Sequence, residues 1–551
     1  MVILKVNKQN NKMNKLKLTL SLALLTNILS AQSQGSGSNL LFYGIVAVCA
    51  VLVIWAMLGL AGNLLKIEAS KYGIDNETSN FGIFPGLRDF IKPKRPSFAT
   101  GGTYHSLKKG FDISLEGKAE GDATHAGVSR FAIRPGDFRG MSPIPKVEVE
   151  VGFEIKAGDV LFYDKKRPEI QYVSPVSGEI VEIRRGEKRS IAEIVILADK
   201  DIKYKKVSSP DINSCERTEL VGFMTSNGLW PLINERPFDV VPLPETIPTN
   251  IFISTFDTAP LAPDSNVVIA GNEEAFQLGL TVLGKLTSGK VHLGLDARGN
   301  TIPSSAFSGA SGVEKHWFSG PHPAGNVGIH IHHVSPIKGH NKVWTLGVQE
   351  VVTIGKMFNT GEYHADRVVA LTGAELVSPK YVRTFQGASL ADLLRDNVNG
   401  DNLRVVSGDV LTGKQESMEG FLGFRDDQVT VLKEGNYYEL FGWLLPLAPR
   451  PSVSGTIPSY GKDYKFEADT NTHGEKRAFV VTGQYESVLP MDIFPQHVMK
   501  AIITNNIERM EGLGLAELSE EDVALCEFVC TSKNPVQSIL RQGLESLKEQ
   551  S

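Results

Sequence analysis

The clearest hydropathy feature of the chain is an uncharged run near its N-terminus. Between Lys17 and Lys66 there is no charged residue, and a Gln/Gly/Ser stretch at 32–38 divides the run into two apolar blocks. The second block, residues 40–62, supplies the roughly 20 apolar residues that a transmembrane helix needs. The first block follows five lysines and resembles a signal peptide. Residues 1–33 are therefore predicted to be a signal-like segment or a first span.

Charge after the second block predicts the orientation of the body. Six basic residues lie between 66 and 95, and if the first block is kept as a span, the positive-inside rule assigns that segment to the cytoplasm. If only the second block inserts, the flanking charges hardly discriminate between the two orientations. We expect a protein of the cell inner membrane with its soluble body on the cytoplasmic side. Residues 66–104 mix Pro, Gly and charge without periodicity and are predicted to be a linker. The N-terminal extension would then act as a tether to the membrane.

Strand-like alternation begins after the linker, and residues 105–205 are predicted to form a β domain. Its segments GDVL and SPVSG resemble the central hairpin of the barrel-sandwich hybrid in biotinyl and lipoyl carriers. Arg167 occupies the position where a carrier has its acylated lysine at the hairpin tip. Arginine cannot form that amide, so we expect a structural domain.

Residues 214–373 alternate short β-branched runs with helical patterns, which predicts an α/β domain. A strand at 266–270 precedes a helix in which Phe276, Leu280 and Leu283 recur at helical spacing, and a strand at 291–295 follows. A second helix at about 350–360 precedes a strand at 367–371.

The pattern changes again in the last third of the chain. Residues 374–446 are predicted to form a β-grasp domain of the soluble-ligand-binding (SLBB-like) type, with Ser389 capping a short helix. Residues 447–551 are predicted to be mainly helical, with Ser519 and Asp522 at capping-box spacing. The predicted fold class is thus multidomain, α+β and α/β, preceded by a transmembrane helix.

Composition narrows the function classes. A net charge of −5 argues against nucleic acid as a partner, because phosphate binding needs a concentrated basic surface. The four cysteines are too few for a disulfide framework and fit a reducing compartment.

Nucleotide-binding motifs are absent or incomplete. GPHPAG at 320–325 has the spacing of a phosphate loop, but Asn326 stands where the lysine should be, and two prolines remove amide donors. No G-x-G-x-x-G follows a predicted strand, so NADH or flavin binding by a dinucleotide fold is not supported. No catalytic residue is predicted.

Histidines and cysteines form two further clusters. Five histidines lie at 322, 330, 332, 333 and 340, with His330 and His332 predicted on one strand face. No carboxylate or cysteine accompanies them at ligand spacing, so we predict no metal site. Cys526 and Cys530 are one helical turn apart and are expected to be buried small apolar residues rather than cluster ligands.

One loop suits a quinone head group or a subunit interface. Residues 228–238 place Trp230, Arg236 and Phe238 between Gly and Pro residues. With His322 they are the candidate quinone or interface residues, and ordinary loop packing is the alternative.

These segments together resemble a known family. GDVLFYDKKRPEI, GLWPLINERPF, GPHPAGNVGIHIHH, RVVSGDVLTG, ELFGWLLP, VLPMDIFP and EEDVALCEFVC occur in order, as in the A subunit of the sodium-translocating NADH:quinone oxidoreductase (NQR). The resemblance covers about 109–549 and implies kinship with the flavin-binding subunit of respiratory complex I. It also implies a scaffold without a flavin loop or cluster domain. The N-terminal extension has no counterpart in that family.

The resemblance implies a role in a six-subunit respiratory complex that reduces ubiquinone or menaquinone and exports Na⁺. Subunits B, C, D, E and F are the implied partners, and quinone is a candidate ligand of this chain. NADH, FAD, FMN, riboflavin and a 2Fe-2S cluster would belong to other subunits. Two alternatives remain at this point: a periplasmic polysaccharide-export module, and a cluster-bearing subunit of a ferredoxin-oxidising complex.

Overall fold

The computed structural model describes parts of residues 43–57 and residues 95–550 except 143, 340, 443–445, 447, 454–463 and 480–482. The chain divides into two units, Met1–Lys94 and Arg95–Ser551. In the first unit the described residues between 43 and 57 are helical, and side chains such as Tyr43 and Met57 are exposed.

Within the described residues, no helix is long and apolar enough to cross a bilayer. The membrane helix predicted at 40–62 is therefore not confirmed. Residues 58–62 and several before them lie outside the described ranges, and so does the signal-like segment at 1–33.

The barrel-sandwich region contains two small sheets in the orders β3-β9-β8-β5 and β4-β6-β7. Their strands are β3 (Arg130–Ile133), β4 (Lys146–Val147), β5 (Glu154–Ile155), β6 (Val160–Asp164), β7 (Arg167–Val173), β8 (Gly178–Arg185) and β9 (Ile191–Ala198). Inward residues such as Phe162, Ile170 and Ile194 are fully buried, as period-two alternation requires.

The sequence predicted Arg167 at a hairpin tip, and the structure places it elsewhere. Lys165 and Lys166 form the turn between β6 and β7. Arg167 begins β7, pairs with Asp164 at 3.2 Å and donates to the Gly140 carbonyl at 2.6 Å. Its guanidinium is held against the body by these contacts, so the exposed tip consists of the two lysines.

A six-stranded sheet in the order β1-β13-β12-β11-β14-β10 forms the centre of the α/β region. Every neighbouring pair is parallel except β10 and β14. Its strands are β1 (Thr103–Ser106), β10 (Asn234–Arg236), β11 (Asn250–Ser254), β12 (Val291–Asp296), β13 (Glu314–Ser319) and β14 (Val343–Leu346).

Six helices belong to this region: α1 (Arg217–Ser226), α2 (Ser265–Ile269), α3 (Glu273–Gly284), α4 (Ser305–Ser308), α5 (Val327–Val334) and α6 (Val348–Thr360). Helices α3 and α6 pack closely at two glycines. A Cβ on Gly279 would lie 2.2 Å from the Val351 carbonyl oxygen, and one on Gly355 would lie 1.8 Å from that of Ala275.

Two strand predictions in this region are wrong. Residues 266–270 lie largely in helix α2, because the carboxylate of Asp264 accepts from the Asn266 amide and caps a helical turn. His330 and His332 lie in helix α5 rather than on a strand face. In both cases a short apolar run fits the helical period and the strand period equally well, so the tertiary contacts determine which element forms.

The predicted linker ends earlier than residue 104. Trp317 donates its indole N–H to the Gly101 carbonyl at 3.0 Å, and its ring meets Phe98 edge-on at 6.0 Å. Ala99 is buried, and β1 adds to the sheet beside β13. Residues 95–104 therefore fold onto the body. The sequence did not predict this because the segment contains too few apolar residues to show a period.

The third sheet has the order β18-β17-β19-β15-β16-β2. Its strands are β2 (Glu120–His125), β15 (Asp366–Thr372), β16 (Lys380–Phe385), β17 (Leu403–Ser407), β18 (Lys414–Glu416) and β19 (Gln428–Lys433), with the short helix α7 (Leu390–Leu393). Ser389 caps α7, as predicted. β2 and β15 come from ranges that the sequence placed in the two preceding domains, because strand pairing depends on long-range contacts.

Five helices close the chain: α8 (Gln484–Val488), α9 (Pro495–Ile503), α10 (Ile507–Gly512), α11 (Glu520–Val529) and α12 (Val536–Gln550). Four short 3₁₀ turns complete the described elements: Pro135–Asp137, Glu187–Arg189, Trp230–Leu232 and Leu515–Glu517. Val523 and Leu540 from this region share a core with Phe318 and Ile329 of the α/β region. The C-terminal helices are thus packed onto the carboxyl side of the central sheet.

Candidate site: a charged cleft at the carboxyl edge of the central sheet

A cleft of about 500 Å³ lies where β11 and β14 end and where α5 and α6 begin. In open α/β sheets, ligands bind at the carboxyl ends of parallel strands. Helix N-termini there offer free amides and a positive dipole, which suit phosphate groups. The position of the cleft is therefore that of a nucleotide site, and its lining determines whether it can act as one.

The N-terminus of α5 is covered by a carboxylate from the C-terminal region. Residues 519–522, the acidic turn, begin α11. A Cβ on Gly328, in the first turn of α5, would lie 2.3 Å from both carboxylate oxygens of Asp522. The side-chain amide of Asn326 donates to the Glu521 carbonyl at 2.9 Å. The acidic turn thus lies where an anionic ligand would approach α5.

The N-terminus of α6 is covered by its own first turn. A Cβ on Gly347 would lie 2.3 Å from a carboxylate oxygen of Glu350, so that side chain folds back over the start of the helix. Glu350 also pairs with the buried Arg367 at 2.7 Å. The starts of α5 and α6 at the cleft are therefore each covered by a carboxylate of this chain.

Arg236 links the cleft wall to the acidic turn. Its guanidinium is only 4% exposed and lies 2.7 Å from Glu521, 3.4 Å from Asp522 and 3.8 Å from Asp239. Burial opposes its charge, but the three carboxylates together raise the pKa of Arg236 above its usual value. The network ties the α/β region to the C-terminal helices.

Two further arginines extend this network. Arg139 pairs with Asp239 at 2.6 Å and with Glu520 at 3.0 Å, and Arg541 pairs with Glu520 at 2.6 Å. The barrel-sandwich side of the molecule is thereby joined to the same acidic turn. Arg139, Arg236 and Arg541 therefore serve contacts between regions of one chain.

The remaining carboxyls give the cleft an acidic character. Burial, reinforced by Asp522, Asp239 and Asp257, raises the pKa of Glu521 to about 7 even though Arg236 opposes the shift. Burial and neighbouring acids also raise the pKa of Asp427 to about 7, against the effect of Arg367. A ligand with several negative charges would enter against this field.

The structure separates the four candidate quinone or interface residues. Trp230 is fully buried; its indole donates to the Pro242 carbonyl at 2.9 Å and meets Trp344 edge-on. Phe238 is half-buried against the core of the C-terminal helices. Among the four, Arg236 lines the cleft.

His322 occupies a buried position between two loops. Its Nδ1 is 3.0 Å from the Thr258 hydroxyl, and its backbone amide donates to Asp112 at 2.8 Å. Burial lowers the pKa of His322 to about 4. The neutral imidazole of His322 is therefore the stable form. The quinone or interface role of the four residues stays a prediction.

The other histidines contact different partners. His330 Nε2 donates to the Ala324 carbonyl at 2.8 Å, His332 pairs with Glu517 at 2.9 Å, and His333 donates to the Pro490 carbonyl at 2.8 Å. His340 lies outside the described residues. In the described ranges there is no group of three or more His, Cys, Asp or Glu side chains that could hold a metal ion.

Cys526 and Cys530 are both buried, as predicted. The hydroxyl of Tyr485 lies 2.9 Å from the Cys530 sulfur. Burial raises the pKa of the Cys526 thiol far above its usual value, so that thiol is protonated and unreactive.

Sequence reasoning missed the acidic turn as part of a site. The capping box of Ser519 and Asp522 is present as predicted, but that pattern explains only how α11 begins. The run Glu520, Glu521 and Asp522 was the available signal. Its contact with α5 depends on the packing of distant segments.

Comparison with known proteins identifies the family. Family models match residues 105–199 as the NqrA N-terminal barrel-sandwich hybrid domain, 215–363 as the NqrA second alpha/beta domain and 368–417 as the NQRA C-terminal domain. A relative from Saccharophagus degradans, the A subunit of Na(+)-translocating NADH-quinone reductase, is 39% identical over 454 residues, 81% of this chain and 99% of the relative. The chain belongs to this NqrA family.

Two other members of the NqrA family have similar sequence identity and coverage. The relatives from Psychromonas ingrahamii and Yersinia pestis are 36% and 38% identical over 452 and 453 residues, in each case 81% of this chain and 99% of the relative. As a family member the chain is a subunit of an oxidoreductase complex, which confirms the sequence-based identification over both alternatives.

A likeness to solved structures is weaker. A chain of an NAD⁺-reducing [NiFe]-hydrogenase in the air-oxidized state is 12% identical and covers 63% of this chain and 68% of its own length, at a TM-score of 0.32. That likeness carries no argument about fold or function.

Proposed function

We propose that this NqrA-family chain contributes to the assembly of the sodium-pumping NADH:quinone reductase and holds no nucleotide in its own α/β domain. The observation that supports this is the occupation of both helix N-termini by carboxylates, Asp522 at α5 and Glu350 at α6. Those positions would otherwise attract the phosphates of NADH or a flavin. The electron path from NADH through FAD, FMN, riboflavin and the 2Fe-2S cluster then runs through other subunits.

The charge balance of the acidic turn supports the same proposal. Glu520 is bonded to Arg139 and Arg541, and Arg236 faces three acids. Each guanidinium described in this network is thus already paired with a carboxylate of the chain. To bind Arg139, Arg236 or Arg541, a ligand would have to break ion pairs that join three regions of the chain, which is costly when the pairs are buried.

We further propose that the body works at the cytoplasmic face of the inner membrane, with subunits B to F as partners. The four reduced cysteines and the basic residues between 66 and 95 support a cytoplasmic location. The extension before residue 95 would hold the body near the membrane. Quinone remains a candidate ligand, with Arg236 as the candidate residue that lines the cleft.

Purification of the tagged full-length chain from native membranes tests the assembly role. We expect the five other subunits, together with sodium-dependent NADH:quinone activity, to accompany it. The isolated chain should release no flavin on denaturation and should not quench NADH fluorescence. Stoichiometric flavin or micromolar NADH binding would overturn the proposal.

Deletion of residues 1–94 tests the tether. The deletion should stop there because residues 95–104 are folded against Trp317. We expect less of the shortened chain on washed membranes and an unchanged unfolding midpoint of the body. Equal amounts of the full and shortened chains in complexes of equal activity would remove the tether from the proposal.

A further inference from the structure

A short loop after β19 exposes an apolar surface that the described part of the chain does not cover. Residues 437–442 are called the apolar loop. Tyr438 is 99% exposed and Leu440 85%, the two highest values among the large apolar side chains that the structure describes, and Phe441 is 59% exposed. Isolated exposed apolar residues are normal, but a contiguous set marks an interaction site.

The loop is held in this outward orientation by polar contacts at its base. Glu439, between the two most exposed residues, points inward and pairs with Arg450 at 2.6 Å, with only 6% of its side chain exposed. Arg450 also donates to the Gly442 carbonyl. Tyr437 donates its hydroxyl to Asp469 at 2.7 Å. These contacts fix the base, so the apolar side chains are presented to solvent instead of folding back onto the body.

The sequence beyond the loop continues the same character. Residues 440–449 read LFGWLLPLAP and contain no charged residue. Between 433 and 450 there are two bases and two acids, Lys433, Arg450, Glu434 and Glu439. Lys433 pairs with Glu375 at 3.0 Å, and Glu434 with Arg404 at 2.8 Å. All four charges are thus neutralised within the chain.

This charge balance distinguishes between two kinds of occupant. Peripheral segments that enter a bilayer combine apolar residues with unpaired basic residues that attract anionic lipid. The apolar loop has no such bases, and irregular backbone is unfavourable in hydrocarbon. An apolar groove on a protein accepts exposed Tyr, Leu and Phe side chains without a need for charge.

We propose that the apolar loop docks in an uncharged apolar groove of another subunit of the reductase. This inference rests on the proposed assembly function and specifies one surface that performs it. Tyr438, Leu440 and Phe441 supply the buried contacts, and the Glu439 and Arg450 pair positions them.

The variant Leu440→Asp in the full-length chain tests this surface. Val377→Asp is the matched control, because Val377 is also an exposed apolar residue, at 67%, on a different loop. We expect Leu440→Asp to lower the amount of the other subunits recovered with the tagged chain by roughly tenfold, with no change for Val377→Asp. Unfolding midpoints of both isolated variants should equal that of the wild type.

A photo-crosslinker at Tyr438 in native membranes identifies the occupant. A crosslink to another protein of the reductase supports the proposal, whereas a crosslink to lipid overturns it. Binding of the chain without residues 1–94 to 3:1 phosphatidylethanolamine:phosphatidylglycerol vesicles that Leu440→Asp abolishes would also overturn it. If the wild type recovers the other subunits and Leu440→Asp does so equally, only the loop inference fails. If the wild type recovers none, the assembly function fails as well.

Discussion

The charged cleft and the apolar loop differ in whether their side chains find partners within the chain. In the cleft, Arg236 and Glu521 are paired within the chain, and Asp522 lies over the helix end where a ligand would bind. In the apolar loop, Tyr438 and Leu440 are exposed, although the base is fixed by buried ion pairing. In the site that resembles a ligand pocket, the helix ends are already covered by carboxylates of the chain, whereas the apolar loop is left uncovered.

The difference follows from the cost of leaving each kind of group without a partner. A buried charge without a partner is strongly unfavourable, so the chain must pair it internally. An exposed apolar side chain costs little in the free protein and becomes favourable when a partner covers it. A chain that works through assembly is therefore expected to close its polar sites and to present apolar ones.

Replacing Arg236 should give the largest effect. Arg236→Met leaves the buried Asp522 without its arginine partner, and we expect a loss of about 3–5 kcal/mol in the free energy of unfolding. Denaturant unfolding measures it. Lys290→Met is the control, because its pair with Glu314 is exposed on both sides and worth less than about 1 kcal/mol. A loss below about 1 kcal/mol for Arg236→Met would mean that the cleft does not depend on this pairing.

Removing acids from the acidic turn should open the cleft to anions. In the double variant Glu521→Gln and Asp522→Asn, Arg236 loses two acidic partners, and the first turn of α5 loses its neighbouring carboxylate. We expect inorganic phosphate to bind with a dissociation constant on the order of 1 mM, measured by phosphorus NMR, and not to bind to the wild type. Glu508→Gln with Glu511→Gln, on the exposed face of α10, controls for net charge. Equal weak binding by all three proteins would show that the acidic turn does not exclude anions.

The raised carboxyl pKa in the cleft predicts a pH effect of intermediate size. Because the folded-state pKa of Glu521 is about 7 and the unfolded value is about 4.3, the folded state holds more protons between those values. The contribution of Glu521 to the free energy of unfolding should therefore fall as pH rises from about 4 to 7.

Glu521→Gln removes that contribution. Since more than a third of the side chain is exposed, we discount the effect to about 1 kcal/mol. The free energy of unfolding is measured for the variant and the wild type at pH 5 and at pH 8. The value for the variant minus that for the wild type should be about 1 kcal/mol larger at pH 8 than at pH 5. Parallel pH curves of variant and wild type would contradict a raised pKa of Glu521.

Substitution in the apolar loop should have the smallest effect on stability. Leu440→Ser changes an exposed side chain, and we expect the free energy of unfolding to stay within about 0.5 kcal/mol of the wild type. Thermal or denaturant unfolding of the isolated chain measures it. A loss above about 1 kcal/mol would place Leu440 in the folded core of the chain and remove the contrast with Arg236.

The sequence by itself determined the elements whose signals are local. Helix α3, with Phe276 and Leu280 on its buried face, and strand β12 follow from hydrophobic period. The capping box at Ser519 is equally local. The family also follows from sequence, because ordered motifs along the chain identify it.

Only the tertiary structure decided how distant segments meet. Short runs such as 266–270 and 330–332 fit both helix and strand periods, and their surroundings made them helical. Strand β2 joined a sheet built mainly from residues after 365. The contact between Asp522 and the start of α5, which covers that helix end with a carboxylate, depends on packing between regions far apart in sequence. Local patterns specify how a helix begins, whereas the neighbour of its first turn depends on how the whole chain folds.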